Sequence, residues 1–312
     1  MTVRPIVLSV IAVIASADLG ADVTITYRSE SQSLQSMPMG IGAEAFRPTP
    51  QSTKSIRVKG AECLSSVGSL IFLTDLAKEE VQVSDSSRKI FATFPLAKYG
   101  EIIAALMPEP TPMAKAVTKM KATTSVRHTG RTETIQGIQA EEREIILSVE
   151  TEIPTGVPQS GPLFRYVIHS WTAKPEEMSS VPGLRELARF SAVHSYFANP
   201  AEMLQKVASG FTGTAEGMDS IIEEFKKENS VVLRTVGEMY MPALGAMLEK
   251  LAAKRGEPIT AGFDPNAPFM RMTQDVVEFS TTTLDDALFE IPADYANVSP
   301  EELMKGLSQA RP

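Results

Sequence analysis

The chain has 312 residues, of which 43% are hydrophobic and 22% charged, a balance that is ordinary for a globular protein and argues against disorder. Its formal net charge of −8, with no cluster of Lys and Arg, argues against sequence-independent binding to nucleic acid or anionic lipid. Cys63 is the single cysteine, which excludes an intramolecular disulfide, and we expect it to be a small buried side chain.

The amino terminus predicts a cleaved signal peptide. Arg4 precedes an uncharged apolar run at 6–15, which fits a signal h-region and is shorter than the roughly 20 residues of a membrane-spanning helix. Cleavage fits after Ala17 or Ala21, and we favour Ala21 because a strand pattern begins at Asp22. The mature protein is therefore expected to be soluble, without a membrane span, and periplasmic or secreted. The alternative is a buried first strand or helix of a cytosolic protein.

Strand patterns dominate the first half of the chain. Residues 22–27 alternate strictly between apolar and polar side chains, as a strand with one buried face does. Polar segments of hairpin length separate the next apolar runs and predict a meander. A helical stripe at 99–106 ends at prolines, and three longer strands follow it. The predicted strands after the first are 52–59, 69–74, 80–84, 89–94, 121–135, 140–150 and 163–173.

The periodicity becomes mostly helical at 182–256. Leu187, Phe190 and His194 fall on one helical face, and Asn199 followed by a proline suits a helix start. Strand patterns also occur within this segment and after it. The predicted elements from here on are helices at 218–225, 244–251 and 300–307 and strands at 230–240 and 270–282.

The order of strands, then helices, then strands predicts the domain organisation. We expect a signal peptide at 1–21 and a single domain at 22–312, with its mostly helical segment at 182–256. Strands that do not alternate regularly with helices favour the α+β class, in which helices gather on one face of an antiparallel sheet. No internal repeat or low-complexity segment divides the chain further.

Several segments together resemble a family of exported bacterial proteins of unknown function, which is thought to share the incomplete β-barrel of the LolA and LppX type lipoprotein carriers. The similarity is one of pattern and order over most of the mature chain. The segments are DVTITYR at 22–28, LTDLAKEEVQVSDSSRKIFATF at 73–94, GRTETIQGIQAEEREI at 130–145, HSWTAKPEEMSSVPGLREL at 169–187 and LFEIPADYANV at 288–298.

The resemblance implies a strongly curved antiparallel sheet, a LolA-like half-barrel, with helices on its apolar concave face. It implies no established activity. Relatives often carry a cysteine or an aromatic residue just past the glycine of IQGIQAEE, where this chain has Gln139 and Ala140. Covalent or redox chemistry tied to that cysteine is therefore not expected here.

The sequence contains no pattern that predicts catalysis, a cofactor or a metal. His128, His169 and His194 are the only histidines, and none has the spacing of a metal-binding pair. His169 could line a pocket, although a structural role is favoured for it. Ser69, after a glycine, lacks the G-x-S-x-G setting of a hydrolase nucleophile. The adjacent carboxylates Glu141-Glu142, Glu176-Glu177 and Glu223-Glu224 are expected on solvated faces.

The chain has 15 methionines, which favour core filling or, alternatively, an adaptable apolar pocket. Among them are Met37, Met39, Met218, Met239, Met241, Met247, Met270 and Met272. These features predict an exported, non-enzymatic binding module for a lipid or other apolar ligand, with no ligand-binding residue assigned. One alternative is a structural or interaction protein of the cell envelope whose cavity is filled by its own helices, and an exported hydrolase is the third. Ligand identity, partners and oligomeric state are left open.

Overall fold

The structure is a computed structural model that describes residues 22–35, 51–99, 101–102, 120–151, 162–191, 215–216, 230–243 and 264–309. Most of the described residues lie in β-strands of one sheet. The strands are β1 (Val23–Ser33), β2 (Ser52–Lys59), β3 (Glu62–Val67), β4 (Leu70–Asp75), β5 (Glu80–Asp85), β6 (Ile90–Pro95), β7 (Met120–Ile135), β8 (Ile138–Thr151), β9 (Phe164–Ala173), β10 (Ala215–Glu216), β11 (Val232–Tyr240), β12 (Met270–Ser280) and β13 (Ala296–Asn297).

The helices of the described residues are few and short. The α-helices are α1 (Pro175–Ser180), α2 (Leu184–Ser191) and α3 (Pro300–Gln309), and two 3₁₀ helices span Leu96–Lys98 and Asp286–Phe289. Local sequence explains where α3 begins, since the Ser299 hydroxyl accepts a hydrogen bond from the backbone N–H of Glu302 at 3.1 Å. The predicted terminal helix is therefore confirmed, and it extends two residues further than its apolar pattern.

The thirteen described strands form one open sheet in the order β10-β7-β8-β9-β11-β12-β1-β2-β3-β4-β5-β6-β13. The inner pairs are antiparallel, whereas the outermost pairs, β10 with β7 and β13 with β6, are parallel. β1 pairs with both β12 and β2, so it joins the amino-terminal meander to the strands of the second half. The two parallel pairs make the sheet mixed. Because β10 and β13 lie at opposite edges, the sheet is not closed.

The strands follow the alternation in the sequence. Along β9 and β11, buried and half-buried side chains alternate, with an additional buried residue only at the end of β9. The turn between β4 and β5 is formed by Asp75, whose carboxylate accepts the backbone N–H groups of Ala77 and Lys78 at 2.9 and 3.0 Å. The predicted meander is confirmed, and β3, which was not predicted, completes it.

Two clusters of buried apolar side chains lie against the sheet. The first lies where α2 meets β1 and includes Val23, Leu187 and Cys63, so the predicted burial of the cysteine is confirmed. The second lies against β4 to β6 and takes in Leu303 from α3. Gly183, just before α2, has a φ of +84°, and a Cβ there would lie 2.7 Å from Cβ of Val23. Glycine therefore permits both the backbone conformation and the close approach of α2 to β1.

The predicted α+β class is wrong for the described part of the chain. A single large mixed sheet dominates it, and the described helices are three short ones rather than a layer on one face of an antiparallel half-barrel. Both parallel edge strands, β10 and β13, contain only two residues, which is too few to produce an alternating pattern in the sequence. β10 also lies inside the segment predicted to be mostly helical.

Several predictions fall wholly or mainly outside the described residues. They include the signal peptide at 1–21 and the helices predicted at 218–225 and 244–251. The helix predicted at 99–106 is described only at residues 99, 101 and 102. The single domain at 22–312 remains a prediction. Among the described residues, no helix has both the length and the apolar character needed to span a membrane.

Candidate functional site

The two faces of the sheet differ in chemistry. The face that carries Tyr166, Ile168, Met239 and Phe72 is largely buried and apolar, and we call it the apolar face. Strand register places Glu142, His169 and Glu238 on the other side, which we call the charged face. The described residues therefore offer two kinds of candidate site, an apolar binding surface and a network of charged side chains.

Methionines gather at one end of the apolar face, where β11 ends and β12 begins. Met239 lies directly opposite Met270, and Met241 follows β11. Met272 lies opposite Gly237, which is buried in the middle of β11. We call Met239, Met241, Met270 and Met272 the methionine cluster. Met239 and Met241 are buried, whereas Met270 and Met272 remain half-buried.

Gly237 leaves a position without a side chain inside this surface. Its cross-strand neighbours on the apolar face are Ile168 on β9 and Met272 on β12. A glycine in a strand interior weakens the strand and often marks a site that a ligand or another backbone approaches closely. Methionine side chains are unbranched and adapt to irregular shapes. The cluster and the glycine together form a surface suited to apolar molecules of varied shape.

A buried carboxylate organises the charged face. The side chain of Glu142 on β8 is 0% exposed and accepts hydrogen bonds from Thr129 Oγ1 at 2.6 Å and Arg131 Nη2 at 2.5 Å. His169 Nδ1 on β9 lies 2.9 Å from Glu142 Oε1. A register shift in β7 around Gly130, whose φ is +74°, lets Thr129 and Arg131 reach the same carboxylate.

The environment of Glu142 keeps it ionised. Burial by itself raises the pKa of this carboxyl group, but the Thr129 hydroxyl and the positive charges of Arg131 and His169 lower it more, and the net result is below the ordinary value. A fully buried charge is tolerated when it is paired and hydrogen-bonded. Glu142 therefore anchors β7 and β9 to β8 through charge-assisted hydrogen bonds.

The charge pairing continues across β11 and β12. Glu238 accepts hydrogen bonds from Arg271 Nη2 at 2.6 Å and the Tyr240 hydroxyl at 2.8 Å. Burial raises the pKa of Glu238, but these two donors and the charge of His169 bring it below its ordinary value. Arg234 pairs with Glu133 at 2.7 Å and also with an aspartate of β12. These contacts link side chains of five neighbouring strands.

The described residues of the charged face do not form a nucleophilic triad. A triad needs a hydroxyl or thiol hydrogen-bonded to a histidine that a carboxylate orients. Among the described residues, Glu142 orients His169, but no serine, threonine or cysteine side chain is hydrogen-bonded to that ring. Ser69 lies in the turn between β3 and β4. Within the same described ranges, no group of histidine, cysteine and carboxylate side chains is placed to hold a metal ion.

The structure separates the side chains that the sequence grouped. Glu141 is 32% exposed and pairs with His128 at 3.0 Å, whereas Glu142 is fully buried, so the solvated face predicted for Glu142 is wrong. Alternation already contained this signal, because Glu142 is in phase with the apolar residues Ile138 and Ala140. Glu176 and Glu177 lie in the first turn of α1, exposed and half-buried. His194, Glu223 and Glu224 lie outside the described residues.

Comparisons with known proteins are weak. No family model and no curated protein matches this chain. Among solved structures, the chain is similar to PNGF-II with 10% identity and a TM-score of 0.33, over 93% of this chain and 33% of that one. It therefore spans about a third of the length of the PNGF-II chain.

The chain is also similar to a LolA superfamily protein from Nitrosomonas europaea, with 7% identity and a TM-score of 0.23, over 86% of this chain and 90% of that one. Because both TM-scores lie below 0.5, neither similarity decides the fold or the function. The exported family that the sequence resembles therefore remains a prediction.

Proposed function

We propose that this chain is exported and acts as a non-enzymatic binding protein for a lipid or another apolar molecule. The observation that carries the proposal is the methionine cluster around Gly237 on the apolar face. Its half-buried members, Met270 and Met272, offer apolar surface that the rest of the protein does not fully cover. Burying that surface against a ligand is favourable at roughly 25 cal/mol per Å² of apolar area.

The proposal locates the ligand at one end of the sheet. Near α3, side chains such as Phe72, Val81 and Val83 are completely buried against one another and Leu303. This tight packing also supports the second candidate, a structural or interaction protein of the cell envelope whose interior is filled by its own side chains. The two candidates differ in what they predict for the methionine cluster.

Ligand binding is the direct test. Protein purified under mild conditions is expected to carry lipid that mass spectrometry of an organic extract identifies, and to bind the neutral probe N-phenyl-1-naphthylamine with enhanced fluorescence. Met272→Gln keeps the shape of the side chain but places an amide on the apolar face. Burying an amide without a partner costs about 1–3 kcal/mol, so probe binding should weaken about fivefold or more.

Thr273→Gln is the matched control. Thr273 is the next residue of β12, is half-buried, and faces the charged side of the sheet. The Thr273→Gln variant introduces the same glutamine side chain on the opposite face, so it should leave probe affinity unchanged. Absence of both bound lipid and probe binding would refute the proposal and favour the self-filled structural protein. Equal loss in the two variants would place the probe elsewhere.

Export has its own measurement. In a bacterial host, the protein should be recovered from the periplasm or the medium, with an amino terminus at Asp22 by intact mass. Accumulation in the cytoplasm with Met1 retained would contradict the export proposal without bearing on ligand binding. Val13→Arg, which places a charge within the apolar run 6–15, should block cleavage if that run is a signal.

A further inference from the structure

In the described part of the chain, β7 forms one outer edge of the sheet along most of its length. One side of β7 pairs with β8. Among the described residues, only β10 pairs with the other side, and it does so at Met120 and Lys121. A register shift interrupts the ladder with β8 between His128 and Thr132. Residues 122–128 are therefore a regular stretch of edge strand between β10 and this shift, and we call them the free edge.

The free edge is accessible from solvent. Thr123 and residues 125–128 are exposed, and Thr124 is half-buried. Val126 is 44% exposed, although Ile145 directly opposite it on β8 is buried. An edge strand presents a row of backbone N–H and C=O groups to an incoming strand. The free edge is long enough for a ladder, because strands in globular proteins usually have about 5–6 residues.

The exposed charges at this edge are mainly positive. β7 contains one lysine, two arginines and one histidine but a single carboxylate. The side chains of Arg127 and Arg131 are 69% and 64% exposed. The β8 carboxylates that they contact, Glu144 and Glu142, are only 17% and 0% exposed. The negative charge therefore lies one strand further in, and the rim that a partner would meet is positive.

Strand alternation gives the free edge two chemically different sides. Val126 lies opposite Ile145 on the apolar face, whereas Arg127 lies opposite Glu144 on the charged face. Arg127 contacts Glu144 through Nε and Nη2 at 3.2 and 3.0 Å. A guanidinium has five N–H donors, so Arg127 can also donate to an acceptor beyond the edge. An added strand would place its apolar side chains beside Val126 and its carboxylates beside Arg127.

We propose that the free edge binds an extended acidic segment of a partner protein, which adds a strand to the sheet beside β7. Backbone hydrogen bonds form the ladder, and alternating apolar and acidic side chains match the two sides of the edge. A second copy of this chain fits less well, because pairing two β7 edges would bring two positive rims together. The inference is independent of the ligand proposed for the methionine cluster, which lies on β11 and β12.

Peptide binding measured by fluorescence anisotropy tests the proposal. The probe is a labelled seven-residue peptide of alternating glutamate and valine, and the matched control peptide has lysine in place of glutamate. The glutamate peptide should bind about tenfold more tightly or better, because like charges would oppose the lysine peptide. A glutamate peptide that is N-methylated on every amide keeps its charges but cannot donate to a ladder, so its binding should be lost.

Two arginine variants test the charge of the rim. Arg127→Gln should weaken binding of the glutamate peptide about fivefold or more, because it removes a charge-assisted contact. Arg271→Gln is the matched control. Arg271 is 45% exposed and pairs with Glu238 at 2.6 Å, but it lies on β12, four strands from β7. This variant should bind the glutamate peptide with unchanged affinity.

Hydrogen exchange locates the peptide without any substitution. Adding the glutamate peptide should slow exchange of backbone amides within residues 122–128 and leave the amides of β12 unchanged. Protection elsewhere, with none at the free edge, would overturn the proposal even if the peptide binds tightly.

The remaining outcomes separate this proposal from other occupants of the edge. Equal affinity for the glutamate and lysine peptides, or undiminished binding of the N-methylated peptide, would overturn it. A dimer in light scattering whose free edge is already protected from exchange would assign the edge to a second copy. Binding to phosphatidylglycerol vesicles without binding to the peptide would assign the positive rim to a membrane surface. Either result would overturn the proposal and leave the test of the methionine cluster unaffected.

Discussion

Replacing Glu142 with glutamine tests the buried charge directly, because the variant keeps the shape and removes the charge. The carboxylate accepts from Thr129 at 2.6 Å and lies 2.9 Å from His169 Nδ1. Hydrogen bonds to a charged group contribute about 1.5–3 kcal/mol and neutral ones about 0.5–1.5, so each contact loses about 1 kcal/mol. Arg131 is 64% exposed, and its pair therefore adds less than about 1 kcal/mol. The expected loss for Glu142→Gln is about 2–3 kcal/mol.

Thermal and denaturant unfolding measure that loss. For a domain of this size a loss of 2–3 kcal/mol lowers Tm by about 4–12 °C. Glu141→Gln is the control, because the side chain of Glu141 is 32% exposed and pairs with the exposed His128, so its loss should stay within about 0.5 kcal/mol. Equal losses in the two variants would refute the assignment of Glu142 as the buried anchor of β7 and β9.

The pH dependence of the same variant has a defined sign. The pKa of Glu142 in the folded protein lies below its ordinary value of 4.5. The ionised carboxylate therefore contributes its full stability above about pH 4.5 and loses it as the pH falls through the folded pKa. The stability difference between the protein and Glu142→Gln should be constant near neutral pH and shrink in acid. A difference that grows in acid would contradict the direction of the shift.

Two further pairs of variants test the packing by denaturant unfolding. Gly183→Ala should cost about 2–4 kcal/mol, because it combines a left-handed φ with a contact of 2.7 Å to Val23. Gly137→Ala, where φ is +81° and the added Cβ would meet open space, should cost about 1–2 kcal/mol. Equal costs would argue against the close approach of α2. Thr74→Val should be neutral or stabilising by up to about 1 kcal/mol, because the buried Thr74 hydroxyl has no partner in the described ranges. Tyr27→Phe loses a 3.0 Å hydrogen bond to a backbone carbonyl of β11 and should cost about 1 kcal/mol. The opposite order of stabilities would contradict the hydrogen-bond assignment.

Most strands could be predicted from the sequence because alternation is a local property. The predicted strands at 121–135, 163–173 and 270–282 correspond to β7, β9 and β12, with ends that differ by no more than two residues. β3 was missed because Glu62–Val67 carries cysteine and two serines in place of a run of large apolar residues. Its burial comes from its neighbours in the sheet, which a local pattern does not contain.

The fold class could not be predicted in the same way. A helical stripe indicates that a segment can form an amphipathic helix, but it does not determine how much of the sheet that helix covers. The parallel edge pairs are also decided by tertiary contacts, since Ala296–Asn297 pairs with Ile90 and Phe91, about 200 residues earlier in the chain. A mixed sheet therefore formed where the order of elements favoured a purely antiparallel one.

The environment of Glu142 was predictable only in part. Neighbouring residues on a strand point to opposite faces, so Glu141 and Glu142 belong to different environments although they are adjacent in sequence. The apolar residues in phase with Glu142 show that one of the two carboxylates faces a buried side. Its partners, however, depend on the register shift of β7 at Gly130.

The methionine cluster depends on strand register. Met239 belongs to β11, whereas Met270 and Met272 belong to β12, and pairing of the two strands places Met239 opposite Met270 and Gly237 opposite Met272. The sequence shows the methionines but not this pairing. A change of one residue in the register of β12 would move Met270 and Met272 to the charged face, so the proposed binding surface requires the observed pairing.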